Sequence, residues 1–346
     1  MRRELRLGIV GTGAISRAYA EAVKDIEDVV LSAACDTDRS AVHEFGELTG
    51  CNVYTNLIKM LIVEDLDGVV VCTPPVTHES VSSAALEAGA HVLCEKPLAI
   101  DIESADRMTA LALRKGLLIT MASKFRFVDD VRAARDLAAS GIVGEIVLVE
   151  NAFTSSVDMA RRWNSDPAVS GGGVLMDNGT HSVDILRFFL GQLRDVKAFE
   201  GRRLQTPRVE DTVRLFARNE CGVIGTADLS WSINKELDTF LRIYGTEGTI
   251  LVGWKESKYR LRSSPEWTVF GKGYDKVAAF RKQLINFTDA IRGETDLDVT
   301  MADAVASIEV ISAAYGALRS SRWENVSNLV ESSLTTAPTR ILEAVS

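Results

Sequence analysis

Between Leu5 and Ser123 the chain keeps alternating between two kinds of segment. A short apolar run such as "LRLGIV" is followed by a stretch with helical spacing over residues 14–24. "VVLSAAC" is followed by residues 40–49, "LDGVVVC" by 78–88 and "HVLC" by 102–115, and "LLITMAS" closes the series. Strands separated by helices must be joined by crossovers, and right-handed crossovers bring each strand back parallel to the last. Near-continuous apolar strands of this kind are covered on both faces. The pattern predicts a doubly wound parallel sheet, a Rossmann-type domain over residues 1–125.

After Ser123 the rhythm changes. A helix over residues 128–140 leads into "GEIVLVENAF", and a glycine-opened helix follows over 172–190. Then come "DVKAFEGRRL", "EDTVRLFAR", "GVIGTADLSW", "DTFLRIYG" and "GTILVGW", with almost no helical spacing between them. Turn residues at 219–222 and 245–248 read as hairpins, which predicts an α+β domain over 126–322 built on a large, mostly antiparallel open sheet. Helices over 276–292 and 301–320 return the chain toward the first domain. Residues 323–346, rich in Ser and Thr, are expected to be weakly ordered. An open sheet with one uncovered face predicts a homo-oligomer, a dimer or tetramer.

Composition narrows the function. With 346 residues and 46% hydrophobic content, the chain can form two cores. A net charge of -9 argues against a general nucleic-acid or membrane-surface binder and favours small-molecule chemistry. The start "MRRELRLGIVG" lacks the apolar stretch of a signal peptide, so a cytosolic location is expected. The five cysteines, Cys35, Cys51, Cys72, Cys94 and Cys221, include no CxxC pair and are expected to be reduced. The four histidines include no HxH or HExxH, so no metal is expected.

"GIVGTGAIS" follows the first strand and opens a helix. Gly11 and Gly13 suit a tight turn and close approach to a pyrophosphate, with Ala14 and Ile15 beginning the helix whose N-terminus would carry it. Ser16 stands at the third fingerprint position, where Gly or Ala is commoner. Asp36 closes the second strand, placed to accept from a ribose hydroxyl, and Arg39 lies three residues on. With Asp38 also near, the balance favours NAD over NADP. In "VVVCTPPVTHES", Thr73 and Pro74 end a strand at the carboxyl edge, where ligands of such sheets lie, and His78 opens the next helix as a further candidate cofactor contact or a simple first-turn residue.

"GGGVLMDNGTHSVDILRFF" puts Asp177, His181 and Asp184 at i, i+4 and i+7, on one helical face. A histidine exchanges protons near neutral pH and a carboxylate one turn away can orient it. A solvated polar stripe has the same spacing, and the residues alone leave both readings open. In "HVLCEKPLAI" a buried strand ends in Glu95, Lys96 and Pro97, so that an ammonium emerges where the strand stops.

Taken together, "GTGAIS", "CTPPVTH", "VLCEKPLA" and "GGGVLMDNGTH" resemble the Gfo/Idh/MocA oxidoreductases, the group of glucose-fructose oxidoreductase and inositol dehydrogenase, over nearly the whole chain. The resemblance implies that Lys96 lies between nicotinamide and substrate, that Glu95 faces the cofactor, and that Asp177 and His181 complete the catalytic group. It implies an NAD(H)-dependent oxidoreductase interconverting a secondary alcohol and a ketone on a sugar, sugar derivative or cyclitol. A dinucleotide-binding sensor without catalysis is the alternative.

Several substrate contacts stay open. Trp163 precedes the catalytic helix and either stacks on a sugar ring or packs internally; Arg161 or Arg162 beside it can pair with an anionic group. The usual polar-Pro is missing from "SKFRFVDD", which leaves Lys124 and Arg126 without an assigned role. Lys255, Lys258, Arg260 and Arg262 in "GWKESKYRLR" suit either a phosphate or nucleotide-sugar tail or a solvated sheet edge.

Overall fold

The computed structural model describes residues 3–160, 162–205 and 208–326. The alternating N-terminal pattern forms β1 (Leu5–Val10), α1 (Ala14–Val23), β2 (Val29–Cys35), α2 (Arg39–Thr49), β3 (Asn52–Tyr54), α3 (Leu57–Val63), β4 (Gly68–Val71), α4 (His78–Glu87), β5 (His91–Cys94), α5 (Ile102–Lys115) and β6 (Ile119–Met121). All six strands pair parallel in the order β3-β2-β1-β4-β5-β6. Val69, Val70, Val71, Val92 and Leu93 are buried, as expected of a doubly covered sheet. Asp38 and Asp101 cap α2 and α5 through their carboxylates, which fixes where those helices begin. β3 and α3 were not anticipated: β3 is a three-residue edge strand, and α3 leaves Ile58, Ile62 and Val63 exposed, without a clear amphipathic period.

The second half comprises α6 (Asp129–Ala139), β7 (Ile146–Thr154), α7 (Pro167–Ser170), α8 (Val174–Leu190), β8 (Leu193–Glu200), β9 (Thr212–Asn219), β10 (Ile224–Ser230), β11 (Thr239–Gly245), β12 (Gly248–Gly253), β13 (Ser257–Leu261), β14 (Thr268–Gly271), α9 (Lys276–Ile291), α10 (Met301–Ser320) and β15 (Glu324–Asn325). Its sheet runs β14-β13-β12-β11-β7-β10-β9-β8-β15. Every pairing is antiparallel except β7 with β10, which is parallel because α8 packs across both and returns the chain between them. The other face of the sheet carries charges, among them Arg214 paired with Asp228 at 3.0 Å.

Two late helices bind the halves together. Phe280, Leu284 and Phe287 of α9 join Leu7, Ile9 and Tyr19 in one core, and each such side chain contributes about 2 kcal/mol by burial. α10 is long and apolar enough to cross a membrane by length and composition. Here it serves two cores, with Val305 and Ile308 packed into the first domain and Val310, Ile311 and Ala314 into the second. β15 and buried Val326 extend the second sheet past the expected boundary at residue 322. The remaining stretch expected to be weakly ordered, from residue 327, lies outside the described residues. The five cysteines are free thiols.

Candidate active site

A cleft of about 550 Å³ opens between the carboxyl edge of the first sheet and α8. Gly13, Ala14 and Ile15 line its nucleotide end. Gly11 sits just behind, at φ +92°, where an added Cβ would lie 2.7 Å from the Cys72 carbonyl, so only glycine fits against the end of β4. At Gly13 an added Cβ would meet nothing within 4 Å, and α1 starts there without a side-chain cap. Its first amides are therefore available to an anion, as a bound pyrophosphate requires. Ser16 is buried and its hydroxyl donates to the Gly13 carbonyl at 2.7 Å, which accommodates the departure from glycine. The Asp36 carboxylate accepts from the Thr12 amide at 2.7 Å and the Asp38 amide at 2.9 Å, which hold it beside the glycine turn. These residues fit a dinucleotide.

Three of the residues expected at the cofactor, His78, Pro74 and Arg39, do not line the cleft. His78 is fully buried behind the cleft, with Nδ1 2.7 Å from the Pro97 carbonyl and Nε2 2.8 Å from the Thr73 carbonyl. It braces the end of β4 against the turn after β5. Burial lowers its pKa, opposed by these carbonyl contacts. Pro74 is set back from the wall because its extended backbone turns the next residue, Pro75, toward the cleft beside Thr73. Arg39 is exposed as the first residue of α2 and does not line the cleft; Asp38, beside it, is occupied capping that helix.

At the chemical end the Lys96 ammonium donates to the Asp177 carboxylate and, at 3.2 Å, to the Asp177 carbonyl. The Lys96–Pro97 peptide is cis. Glu95, also in the wall, accepts from the Tyr19 hydroxyl at 2.8 Å, and that hydroxyl in turn accepts from Gln283 at 3.0 Å, tying β5 to α1 and α9. His181 faces the same cleft and is buried, with Phe125 edge-on at 5.1 Å. Burial, with Lys96 and Lys124 nearby, lowers its pKa well below the usual histidine value, so the ring is neutral at pH 7. Asp177 therefore holds Lys96; the expectation that it orients the histidine is replaced by this pairing.

Asp184 does not join them. It is buried against Arg126, at 2.9 Å and 3.0 Å from its Nε, and Arg126 also reaches Asp303 at 3.2 Å. The arginine left unassigned in the sequence is thus the ion-pair hub joining α8 to α10. A solvated stripe does not describe α8: of the three spaced residues, Asp177 and His181 line the cleft and Asp184 does not.

The start of α8 is anchored from outside the helix. Glu210 is buried, and one of its carboxylate oxygens accepts from the Gly173 amide (3.0 Å), the Leu175 amide (3.1 Å) and the Tyr315 hydroxyl (2.8 Å). Burial raises its pKa, with the hydrogen bonds opposing.

Arg162 and Trp163 line the cleft, the tryptophan 47% exposed; Arg161 lies outside the described residues. Sequence reading missed Phe125, Phe153, Trp254, Lys124 and Lys276, which share the wall. Trp254 packs on Phe240 at 4.7 Å and Tyr274 at 5.7 Å, making an apolar surface suited to the face of a sugar ring. Lys255, Lys258, Arg260 and Arg262 do not line the cleft: Arg260 lies over Trp267 at 4.8 Å and Lys258 pairs with Glu256 at 3.3 Å, as solvated strand charges do.

A dinucleotide-type sheet feeding a lysine and a neutral histidine from a second domain defines a class, the two-domain oxidoreductases. The chain belongs to the Gfo/Idh/MocA family: residues 5–123 match its NAD-binding Rossmann fold and residues 131–251 its C-terminal domain. It is 26% identical to D-apiose dehydrogenase of Paraburkholderia graminis over 260 residues, covering 73% of this chain and 68% of that protein. It is 27% identical to 1,5-anhydro-D-fructose reductase of Ensifer adhaerens over 316 residues, covering 88% and 93%. The structure of GenD2 from gentamicin A biosynthesis in complex with NAD superposes with a TM-score of 0.84 at 27% identity, covering 94% and 97%.

Proposed function

We propose that the protein interconverts a secondary alcohol and a ketone on a sugar, sugar derivative or cyclitol, using NAD(H). The observation that carries this reading is the placement of Lys96, paired with Asp177, beside a neutral His181 in one cleft. Bound nicotinamide supplies the hydride acceptor for oxidation and the donor for reduction. Lys96 donates a hydrogen bond to the substrate oxygen and stabilises the charge that develops there more than it stabilises the ground state. His181, neutral at pH 7, takes the hydroxyl proton on its free ring nitrogen and returns it in reduction. Asp177 keeps the lysine ammonium aimed.

Asp36 beside the glycine turn favours NAD, because a 2′-phosphate there would meet a like charge. The reading includes a cytosolic homo-oligomer formed through the charged face of the second sheet, which light scattering on the purified protein tests. The reaction is tested by extracting any bound nucleotide and then screening free sugars, cyclitols and nucleotide sugars for NADH formation. NADH formation with one of these substrate classes supports the reading; tight NAD binding with no turnover on any of them rejects it in favour of a sensor.

A further inference from the structure

The cleft is cationic although the chain is acidic. Its charged wall residues are Lys96, Lys124, Arg162 and Lys276 against Glu95 and Asp177, in a protein of net charge -9. Both carboxylates have close partners already, Asp177 with Lys96 and Glu95 with Tyr19. Among the described residues the Lys124 and Lys276 side chains make no hydrogen bond or ion pair. Each lies over the Phe280 ring instead, at 5.6 Å and 6.0 Å.

The two differ in surroundings, Lys276 being exposed to solvent. Lys276 is the first residue of the 16-residue α9, at the positive end of the helix dipole. Lys124 is largely enclosed, and burial together with Lys96 and Lys276 lowers its pKa to about 8, opposed by Glu95 and Asp177. Two ammonium groups without a carboxylate in direct contact, lining one cleft, form a receptor for negative charge.

Their position identifies which ligand brings it. Lys124 also lies 5.4 Å from the centre of Phe125, whose ring meets the His181 ring at 5.1 Å. Lys124 therefore borders the chemical end, with Trp254 in the same wall; Lys276 lines the cleft beside Phe280, whose ring packs on Tyr19 of α1 at 4.6 Å, and the nucleotide end is built from Gly13 to Ile15 and Asp36. We infer that the substrate carries an acidic substituent, a carboxylate or a phosphate, and that Lys124 and Lys276 bind it while Lys96 and His181 act on a neighbouring carbinol. This rests on the reading of the cleft as a sugar or cyclitol oxidoreductase site.

The test uses sets of sugars that differ only at one carbon: glucose, glucuronate and glucose 6-phosphate, with the corresponding galactose and mannose sets. Each is titrated into NADH-loaded protein by calorimetry, and each is assayed for NADH formation with NAD. An acidic member should bind at least about tenfold more tightly than its neutral parent, a difference of about 1.4 kcal/mol. The uronate and phosphate arms distinguish the two acids. Lys124→Met and Lys276→Met should each shrink that ratio, weakening the acidic member more than NADH or the neutral sugar. Neutral members binding as tightly as acidic ones in every set would overturn the inference. So would variants that weaken NADH binding and leave the acid preference intact, because the lysines would then serve the cofactor phosphates. An acid preference lost in both variants, without turnover of any sugar, would support the anion site and reject the oxidoreductase reading separately.

Discussion

Glu210→Ala should loosen the helix that carries the catalytic pair. The carboxylate is buried and receives two first-turn amides of α8 and the Tyr315 hydroxyl through a single oxygen. Glycine is required opposite it, since a Cβ at Gly173 would lie 2.1 Å from the Glu210 carbonyl oxygen. Removing the side chain leaves the Leu175 amide and the Tyr315 hydroxyl without their acceptor, at about 1–3 kcal/mol each, while the Gly173 amide keeps the Tyr315 hydroxyl at 3.2 Å. Water entering the vacated space offsets part of this, leaving a loss of about 2–4 kcal/mol. Glu210→Gln keeps an oxygen where the three donors converge and should lose only about 1 kcal/mol. Asp177 lies one turn further on, its amide bonded to the Gly173 carbonyl at 3.0 Å. A frayed first turn therefore moves the partner of Lys96, and turnover should fall about tenfold in the alanine variant with little change in NAD affinity. Urea unfolding and initial rates of NADH formation measure the two effects. Alanine and glutamine variants of equal stability would refute the anchoring role.

Arg126→Met leaves Asp184 buried without its main partner and should cost about 3–5 kcal/mol, read by urea unfolding; a change under about 1 kcal/mol would contradict the hub. Because burial and nearby ammonium groups hold His181 below its usual value, its folded form resists protonation, so kcat/KM for oxidation should keep its base through pH 6.5 and fall only at lower pH. An acid limb centred at or above pH 6.5 would be inconsistent with that environment. The protein should bind NAD at least about tenfold more tightly than NADP, or about 1.4 kcal/mol, and Asp36→Ala should narrow the ratio; parallel titrations decide, with equal binding by the unmodified protein counting against Asp36.

The first sheet was legible because its strands are buried on both faces and so read as apolar runs, whereas β3, three residues at the edge, left no run to see. The β7–β10 parallel pairing depends on where α8 crosses, a long-range relation that local turn residues do not encode. Within the site, helical spacing correctly put Asp177, His181 and Asp184 near one angular face. Spacing carries no depth, however: Asp184 lies about 10 Å further along the axis than Asp177, beyond the cleft, where Arg126 meets it. His78 was left open between a cofactor contact and a first-turn residue because its place at the start of a helix on the ligand edge says nothing about which way the ring turns. Lys124 and Trp254 had no spacing signal, since each reaches the cleft from a separate irregular segment.

The central claim is that Lys96 acts on the reacting oxygen and not on nucleotide binding. Steady-state turnover of Lys96→Met, measured beside its Kd for NAD by calorimetry, tests it most directly. The account predicts a fall in kcat of about 10² to 10⁴ with the Kd within about twofold of the unmodified protein. Near-normal turnover, or a loss explained entirely by weaker NAD binding, would contradict it.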